Sequence, residues 1–184
     1  MMELKIFFYR LALKVKLFLR GARMKAVFLD RDGTLNKDFG YASEIKHLEL
    51  FPETVPGLKK LFSSGYILII ISNQSGVGRG YFTLDKVKKF NARLIKILAK
   101  EGIFIAGVYV CPHAPEDGCL CRKPNAGLFE KAIQDFRINT KESYSIGDKE
   151  ADVAAAEKVN IKGFQLGRVF KNILEAAEFI TAQK

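Results

Sequence analysis

The chain has 184 residues, of which 48% are hydrophobic and 27% are charged; this composition fits one globular domain with a sizeable core and excludes intrinsic disorder, collagen and a coiled coil. Lys and Arg number 30 against 20 Asp and Glu, and the resulting net charge of +10 suits phosphorylated substrates or a polyanionic partner. The three cysteines lie within eleven residues, which makes a poor disulfide framework and favours a metal site in a reducing compartment.

Residues 1–23 differ from the rest of the chain. They hold six Lys or Arg and one Glu, so +5 of the net charge of +10 comes from this segment. Its apolar residues recur at helical spacing, and the pattern resembles a basic amphipathic helix at a membrane surface. One face consists of Leu4, Phe7, Phe8, Leu11, Val15 and Phe18, whereas Ile6, Leu13 and Leu17 fall on the opposite side among the lysines.

The same segment allows a plainer interpretation. Met24 opens a predicted β-strand directly, as a start codon would, so residues 1–23 are alternatively a leader without a catalytic role. Basic residues interrupt both the ~18-residue apolar run of a membrane span and the apolar stretch of a signal peptide. We therefore expect a cytoplasmic protein that is neither exported nor membrane-spanning, with peripheral membrane contact through residues 1–23 left as an open alternative.

From Met24 onward, short apolar runs alternate with amphipathic segments. The runs predict strands at 26–29, 67–71, 108–110, 143–146 and 163–166, and the segments predict helices at 55–64, 83–102, 126–136, 151–159 and 171–181. This alternation predicts a doubly wound, Rossmann-like α/β fold with a parallel sheet. In such folds the active site lies beyond the carboxyl ends of the strands, so functional residues are expected there.

Two acidic residues directly follow the first predicted strand. Residues two apart in an extended segment point to the same side, so Asp30 and Asp32 are expected to converge while Arg31 points away. Carboxylates this close repel each other unless a cation lies between them, which suggests Mg²⁺. The alternative is an Asp-Gly turn with solvated acids.

The second and fourth predicted strands also end in polar residues. Residues 72–80 combine a hydroxyl, amides and glycines that can offer backbone N–H groups to an anion, although they also suit an ordinary loop. Asp148 and Asp152 lie at the start of a predicted helix, where acidic residues complement the helix dipole. They also lie at the same predicted sheet edge as Asp30, and together these carboxylates provide the oxygen ligands that a hard cation requires. His47 lies outside these strand ends and is predicted to be a surface residue.

The third predicted strand leads into a C-x-H-x5-C-x-C pattern. Four soft ligands within eleven residues match a closed tetrahedral zinc site that holds a short polar loop together, and the alternative is a set of incidental reduced cysteines. The metal would fix the direction of Arg122 and Lys123, which follow it. The four predicted zinc ligands are Cys111, His113, Cys119 and Cys121.

Taken in order, these residues resemble the four motifs of the haloacid dehalogenase superfamily of phosphohydrolases. The resemblance covers residues 24 to about 168. It implies an N-terminal extension at 1–23, a single phosphatase domain at 24–184, and an open cleft without a large cap domain. The motifs are Asp30-x-Asp32-Gly-Thr34, Ser72-Asn73, Lys123 and Gly147-Asp148-x-x-x-Asp152.

The predicted zinc loop resembles one branch of that superfamily, which contains heptose bisphosphate phosphatases and histidinol-phosphate phosphatases. Residues 30–36, 38–45 and 73–83 look most like the heptose enzymes. This implies Mg²⁺-dependent removal of the 7-phosphate of a heptose 1,7-bisphosphate, in the synthesis of nucleotide-activated heptose for lipopolysaccharide. Histidinol-phosphate phosphatase remains the alternative, because those enzymes also have a five-residue spacer after the zinc-loop histidine and Ser72 stands where heptose enzymes commonly have Thr.

The resemblance also implies catalytic roles. Asp30 would attack phosphorus to form an aspartyl-phosphate, and Asp32 would protonate the leaving oxygen and then deprotonate water. Ser72 and Lys123 would hold the transferring phosphoryl group. Mg²⁺ would be bound by Asp30, Asp148 and the backbone carbonyl of Asp32.

Substrate recognition is implied for the loops around the same edge. Arg122 would grip a second phosphate bidentately, which favours a bisphosphate over a monophosphate. Asp152 would orient the metal site from behind its ligands. The predicted substrate-binding residues are Asp38, Phe39, Gly40, Tyr41, Asn73, Gln74, Ser75, Arg122 and Lys149.

Two other functions compete with this interpretation. The basic charge suggests a nucleic-acid 3′-phosphatase, but no basic stripe with interleaved aromatic residues follows Met24, so no nucleic-acid partner is expected. Alternatively, residues 1–23 would make the chain a membrane-surface or nucleic-acid-binding module. The resemblance implies a small-molecule sugar phosphate as partner and a monomeric protein.

Overall fold

The computed structural model describes residues 2–20, 23–41 and 44–183. The helices are α1 (Met2–Arg20), α2 (Thr54–Ser63), α3 (Ser75–Gly78), α4 (Leu84–Lys100), α5 (Gly127–Phe136), α6 (Glu150–Glu157) and α7 (Ile173–Ala182). The strands are β1 (Ala26–Leu29), β2 (Ile67–Asn73), β3 (Ile105–Cys111), β4 (Tyr144–Gly147) and β5 (Lys162–Gln165). Short 3₁₀ turns occupy Ile45–His47, Pro115–Asp117 and Thr140–Glu142.

The five strands form one parallel sheet in the order β3-β2-β1-β4-β5. Strand β1 lies at the centre, where Ala26 pairs with Ile67 of β2 and Val27 pairs with Tyr144 of β4. The strand order therefore reverses beside β1, as it does in a doubly wound fold. The predicted α/β architecture is confirmed, and the carboxyl ends of β1, β2 and β4 meet at one edge of the sheet.

Helices cover both faces of the sheet, because every residue of β1 is buried and needs apolar partners on both sides. Val27 and Leu29 belong to the core cluster formed with α2, α4 and α7. Ala26 and Phe28 belong to the cluster formed with α1, α5 and α6, where the ring of Phe28 lies 4.9 Å from that of Phe129. Each fully buried side chain of this size contributes about 1.5–3 kcal/mol, so the two clusters fix the position of the strand ends.

All five predicted strands are present, with bounds that differ by up to three residues. Strand β3 begins at Ile105 rather than at 108, because Gly107 interrupts the apolar run that marks the strand in the sequence. Helix α7 begins at Ile173 rather than at 171. The side chain of Asn172 accepts hydrogen bonds from two backbone N–H groups of the first turn, both at 3.1 Å, and so caps the helix.

Helix α1 packs against the sheet and its helices through the side opposite to the predicted apolar face. Leu13 is buried in the core, and the ring of Tyr9 stacks on that of Phe104 with centroids 5.2 Å apart. The side chains of Leu17 and Phe18 lie outside the described residues. The rest of the predicted apolar face is exposed by between 43% and 59%, at Leu4, Phe7, Phe8, Leu11 and Val15. Within the residues that the structure describes, no helix is both long enough and apolar enough to cross a membrane.

Candidate active site

Asp30 lies one residue beyond the carboxyl end of the central strand. Its backbone N–H donates to the carbonyl of Ile146 in β4 at 2.9 Å, which keeps this residue in line with the sheet. The side chain is 9% exposed, and its Oδ1 accepts a hydrogen bond from Nζ of Lys123 at 2.6 Å. The carboxylate is therefore presented at the sheet edge in a fixed orientation.

Lys123 reaches Asp30 from the loop that precedes α5. Its ammonium is buried and lies 2.6 Å from Oδ1 of Asp30, 2.6 Å from Oδ1 of Asp152 and 2.7 Å from the carbonyl oxygen of Ile71. The side-chain amide of Asn73 donates to the Lys123 carbonyl at 3.0 Å and accepts from the Lys123 N–H at 3.1 Å. Both ends of the lysine are thus held in place.

The carboxylates around Lys123 carry more negative charge than its ammonium can neutralise. Burial raises the pKa of Asp30 to about 7, although Lys123 acts to lower it. Burial acts to lower the pKa of Lys123, but Asp30 and Asp152 outweigh it and raise that pKa above its ordinary value. The carboxylates of Asp30 and Asp152 share the Lys123 ammonium, and the carboxylate of Asp148 lies beside them, so these three acids can accept a further positive charge.

The same three carboxylates can hold a metal ion. One ligand oxygen from each lies within 4.8 Å of the others. In the described part of the chain, Oδ1 of Asp148 is buried without a hydrogen-bond partner, and burial raises the pKa of this carboxyl. A hard cation would satisfy this oxygen, which is otherwise costly to bury. Gly33 provides the space, because a side chain there would collide with the carboxylate of Asp148.

Three neighbouring side chains orient Asp32. Arg31 donates to Oδ2 from Nη2 at 2.6 Å and from Nε at 3.0 Å. Asn36 donates to Oδ1 at 2.9 Å, and Gln74 donates to Oδ2 at 2.8 Å. Since Asp32 also lines the cavity described below, its carboxylate is available for proton transfer in one orientation.

The expectation that Arg31 points away from Asp32 is wrong. Strand β1 ends at Leu29, so the alternation of side chains no longer holds at Arg31, and its long side chain turns back to the neighbouring carboxylate. The guanidinium is buried 4.4 Å from the ring centroid of Phe90, and Nη1 donates to the side chain of Asn91 at 2.8 Å. Helix α4 therefore supports Asp32 through Arg31.

Gln74 joins Ser72 to Asp32. Its side-chain amide donates to Oδ2 of Asp32 and to Oγ of Ser72, each at 2.8 Å. Ser72 is buried and does not line the cavity, whereas Gln74 does. The hydroxyl that the sequence predicts to bind a phosphoryl group is therefore engaged with Gln74 in this structure.

Most of the predicted site residues line one cavity of about 380 Å³. Phe39, Ser72 and Asp148 do not line it. Phe39 is exposed, with its ring 5.8 Å from that of the half-buried His47, and Asp148 lines a second cavity of about 360 Å³. The predicted residues that line the first cavity are Asp30, Asp32, Asp38, Gly40, Tyr41, Asn73, Gln74, Ser75, Arg122, Lys123 and Lys149.

Four lining residues are absent from the predicted catalytic and substrate-binding set. Phe82 is an apolar residue two positions after the glycine-rich loop, and that position is the signal that the sequence offers for it. Gly76 is required beneath it, because a side chain there would collide with the Phe82 ring. Ala151 carries no chemical signal and lines the cavity only because α6 begins there. The four residues are Gly76, Phe82, Ala151 and Asp152.

Lys149 and Asp38 connect two loops that line the cavity. Nζ of Lys149 lies 3.5 Å from Oδ2 of Asp38 and 3.9 Å from Oδ2 of Asp148. Burial acts to lower the pKa of Lys149, but Asp148 and Asp38 raise it above its ordinary value, so this side chain remains a cation. An ion pair at these distances with an exposed lysine is weak, and it can open to accept an anion.

The four predicted zinc ligands converge in the loop between β3 and α5. The Sγ–Sγ distances are 3.3–3.5 Å, and Nδ1 of His113 lies 3.6 Å from Sγ of Cys111 and 3.2 Å from Sγ of Cys121. Tetrahedral zinc ligands at 2.0–2.3 Å from the metal stand about 3.3–3.8 Å apart, so the cluster fits a metal ion. Burial opposes ionisation of Cys119, yet hydrogen bonds with Cys121 and Cys111 lower its pKa to about 7, and metal binding needs such a thiolate.

This cluster is connected to the cavity through Arg122. Arg122 follows the last cysteine directly and lines the cavity. Its Nη1 donates to the carbonyl of His113 at 3.4 Å. A metal ion in the cluster would therefore fix the loop from which Arg122 extends.

Comparisons with known proteins agree with the geometry. The model of the polynucleotide kinase 3 phosphatase family matches residues 25–165. A D-glycero-beta-D-manno-heptose-1,7-bisphosphate 7-phosphatase from Haemophilus ducreyi is 41% identical over 161 residues, which cover 84% of this chain and 88% of that protein.

Two solved structures share the fold. The D,D-heptose 1,7-bisphosphate phosphatase of B. bronchiseptica, complexed with magnesium and phosphate, matches with a TM-score of 0.80 at 23% identity, over 88% of this chain and 100% of that chain. A putative had-like phosphatase from Mesorhizobium loti matches with a TM-score of 0.74 at 28% identity, over 86% of this chain and 88% of that chain.

Proposed function

Since this chain belongs to the haloacid dehalogenase superfamily of phosphatases, and within it to the polynucleotide kinase 3 phosphatase family, we propose that it removes the 7-phosphate from D-glycero-D-manno-heptose 1,7-bisphosphate. One observation carries the proposal. The buried carboxylate of Asp30 is bonded to Lys123 at the end of the central strand, beside an acidic group that can hold a cation.

Asp30 acts as the nucleophile in the first step. One of its carboxylate oxygens forms a bond to phosphorus while the bond between phosphorus and the sugar oxygen breaks, which gives an aspartyl-phosphate and the sugar alcohol. The ammonium of Lys123 supports this step, because it already contacts Asp30 and can stabilise negative charge on the phosphoryl oxygens.

Asp32 moves the protons. Its carboxylic acid gives a proton to the departing sugar oxygen; the carboxylate then takes a proton from the water that attacks the aspartyl-phosphate, releasing inorganic phosphate and free Asp30. The bonds from Arg31 and Gln74 support this role by holding the carboxylate in one orientation. Ser72 contributes through Gln74, whose side-chain amide donates to its hydroxyl.

A divalent cation completes the charge balance. We assign Asp30, Asp148 and the backbone carbonyl of Asp32 as ligands of Mg²⁺, and the unpartnered Oδ1 of Asp148 supports this choice among the described residues. When bound, Mg²⁺ neutralises negative charge on the phosphoryl oxygens. Asp152 orients Lys123 instead, since its Oδ1 is 2.6 Å from that ammonium and its Oδ2 accepts from a backbone N–H at 3.0 Å.

Arg122 recognises the second phosphate, whereas Lys149 lies beside the transferring phosphoryl group, since its ammonium is 3.9 Å from the carboxylate of Asp148. Both are cations that line the cavity, and both extend from loops beside the nucleophile. A structural zinc ion at the cysteine cluster holds the loop of Arg122, with all four positions taken by protein ligands. The remaining predicted residues of the lining bind the sugar; they are Asp38, Gly40, Tyr41 and residues 73–75.

The similarity to a heptose bisphosphate phosphatase favours heptose bisphosphate over histidinol phosphate, which is the remaining enzyme alternative. Membership of the polynucleotide kinase 3 phosphatase family makes a 3′-phosphorylated polynucleotide a further substrate to test. We further propose that the protein acts in the cytoplasm as a monomer, in the synthesis of nucleotide-activated heptose.

The test is phosphate release in the presence of Mg²⁺. Both anomers of the heptose bisphosphate are compared with histidinol phosphate and a 3′-phosphorylated oligonucleotide, with Asp30→Asn as the blank. We expect kcat/KM to favour one heptose bisphosphate by at least roughly tenfold. Preference for either other substrate would reject the heptose assignment and retain the chemistry, and release from none of them would reject the function.

A further inference from the structure

Helix α1 carries a stripe of large apolar side chains that the protein leaves uncovered. The stripe is defined as Leu4, Phe7, Phe8, Leu11 and Val15, each of which is at least 43% exposed. Contiguous apolar surface of this kind is uncommon on monomeric proteins and marks a binding surface. None of the catalytic groups described above lies on α1, so the proposed reaction does not account for the stripe.

The opposite face of α1 fixes the direction of the stripe. Leu13 is buried in the core, and Tyr9 packs between Phe104 and Phe62 with ring centroids at 5.2 and 5.7 Å. Near the start of the helix, Glu3 forms an ion pair with Lys96 of α4 at 2.6 Å. Because these contacts occupy one side of the helix, the stripe faces away from the sheet and cannot fold back onto it.

The segment that carries the stripe is strongly basic. The first 23 residues hold six Lys or Arg and one Glu. The segment therefore carries a net charge of +5, and Lys5 is exposed on α1. An exposed apolar stripe on a basic segment is typical of a helix that lies in a membrane interface, where basic side chains meet anionic headgroups.

We propose that α1 docks the protein on the surface of an anionic phospholipid bilayer, with the stripe inserted at the boundary between headgroups and acyl chains. A second copy of the chain is a poorer occupant, because it would bring together two segments that each carry a net charge of +5. A nucleic acid would use the charges but would leave the apolar side chains in water. The bound enzyme would act on its substrate beside the membrane.

The experiment is co-sedimentation of the full chain with vesicles of phosphatidylcholine alone or mixed with phosphatidylglycerol. We expect binding to the anionic vesicles, weakened by salt, and a reduction of roughly tenfold or more in the vesicle partition coefficient for Phe7→Ser/Phe8→Ser. Phe7→Leu/Phe8→Leu should retain binding because it keeps the apolar surface. Val169→Ser is the control, since Val169 is also exposed and lies far along the chain, in the loop before α7.

Phosphate release verifies that the variants are folded, since neither Phe7 nor Phe8 belongs to the catalytic site. Equal binding of wild type and the serine variant would overturn the proposal, as would no binding of wild type to anionic vesicles. A dimer that the serine substitutions dissociate, without vesicle binding, would instead assign the stripe to contact between copies. Sedimentation does not depend on turnover, so its failure is distinct from failure of the proposed function.

Discussion

Nζ of Lys123 lies 2.6 Å from Oδ1 of Asp30, although the two residues are 93 positions apart in the sequence. The zinc-ligand loop ends directly before Arg122 and Lys123, and Asn73 holds the Lys123 backbone against the end of β2. The contact therefore depends on the zinc-ligand loop and on the end of β2, neither of which is adjacent to Asp30 in the sequence. It places a cation beside the nucleophile before any substrate binds.

Replacing Lys123 with Met tests this contact. The substitution keeps the length of the side chain but leaves the buried carboxylates of Asp30 and Asp152 without their cation. We expect the free energy of unfolding to fall by about 3 kcal/mol and kcat to fall by at least roughly 100-fold. Thermal or denaturant unfolding and steady-state kinetics measure the two effects. Lys131→Met is the matched control, because Lys131 is an exposed lysine of α5; an equal loss there would contradict the role of Lys123.

Arg31→Lys tests whether the guanidinium positions Asp32. Lysine keeps the charge but cannot reproduce the paired Nε and Nη2 bonds. Because Arg31 is buried and does not line the cavity, we expect kcat for a sugar phosphate to fall about tenfold, with KM changed less than about twofold.

The same substitution should have a smaller effect on 4-nitrophenyl phosphate, whose leaving oxygen needs little protonation. A purely structural role for Arg31 would reduce turnover of both substrates equally. Arg93→Lys serves as the control, because Arg93 is exposed on α4, the helix whose Asn91 accepts a hydrogen bond from Arg31.

Arg122→Met tests recognition of the second phosphate. Removing a charge-assisted hydrogen bond costs about 1.5–3 kcal/mol, so we expect KM for the heptose bisphosphate to rise roughly 10- to 100-fold. KM for the corresponding 7-monophosphate should change little. Arg168→Met removes an exposed arginine from the loop after β5 and should leave both values as they are. A similar rise in KM for both substrates would place Arg122 at the transferring phosphate instead.

Cys119→Ser tests the metal at the cysteine cluster. Wild-type protein should contain one zinc ion per chain by elemental analysis, and the variant should contain much less because serine is a poor zinc ligand. We expect the Tm to fall by about 5–10 °C, equivalent to about 2–3 kcal/mol. Chelation should lower the Tm of wild type similarly, and Zn²⁺ but not Mg²⁺ should restore it. Wild-type protein without zinc and with unchanged stability under chelation would contradict the assignment.

Much of the site could be predicted because its residues follow buried strands. The apolar run that ends before Asp30 and the run that ends before Ser72 mark the strand ends directly, and parallel strands bring those ends to one edge. The zinc-ligand pattern is equally local, since all four side chains lie within eleven residues. Such signals require no knowledge of packing.

The remaining features depend on tertiary contacts that periodicity does not report. The Arg31 side chain contacts Asp32 because β1 ends before Arg31 and because Asn91 of α4 accepts a hydrogen bond from its guanidinium. The hydrogen bond from the Gln74 side chain to the Ser72 hydroxyl depends on the path of the glycine-rich loop. In α1, helical spacing correctly separates two faces, but the face that packs is the one carrying Leu13, because the aromatic contacts of Tyr9 decide the rotation of the helix.

The most direct measurement of the central claim is chemical trapping of the intermediate. Protein mixed with heptose bisphosphate and Mg²⁺ is quenched in the steady state and treated with borohydride, which reduces an aspartyl-phosphate to homoserine, and the peptide containing residue 30 is analysed by mass spectrometry. The account predicts homoserine at position 30 in wild type, dependent on substrate, and none in Asp30→Asn. Reduction at another residue, or turnover without any trapped species at Asp30, would contradict it.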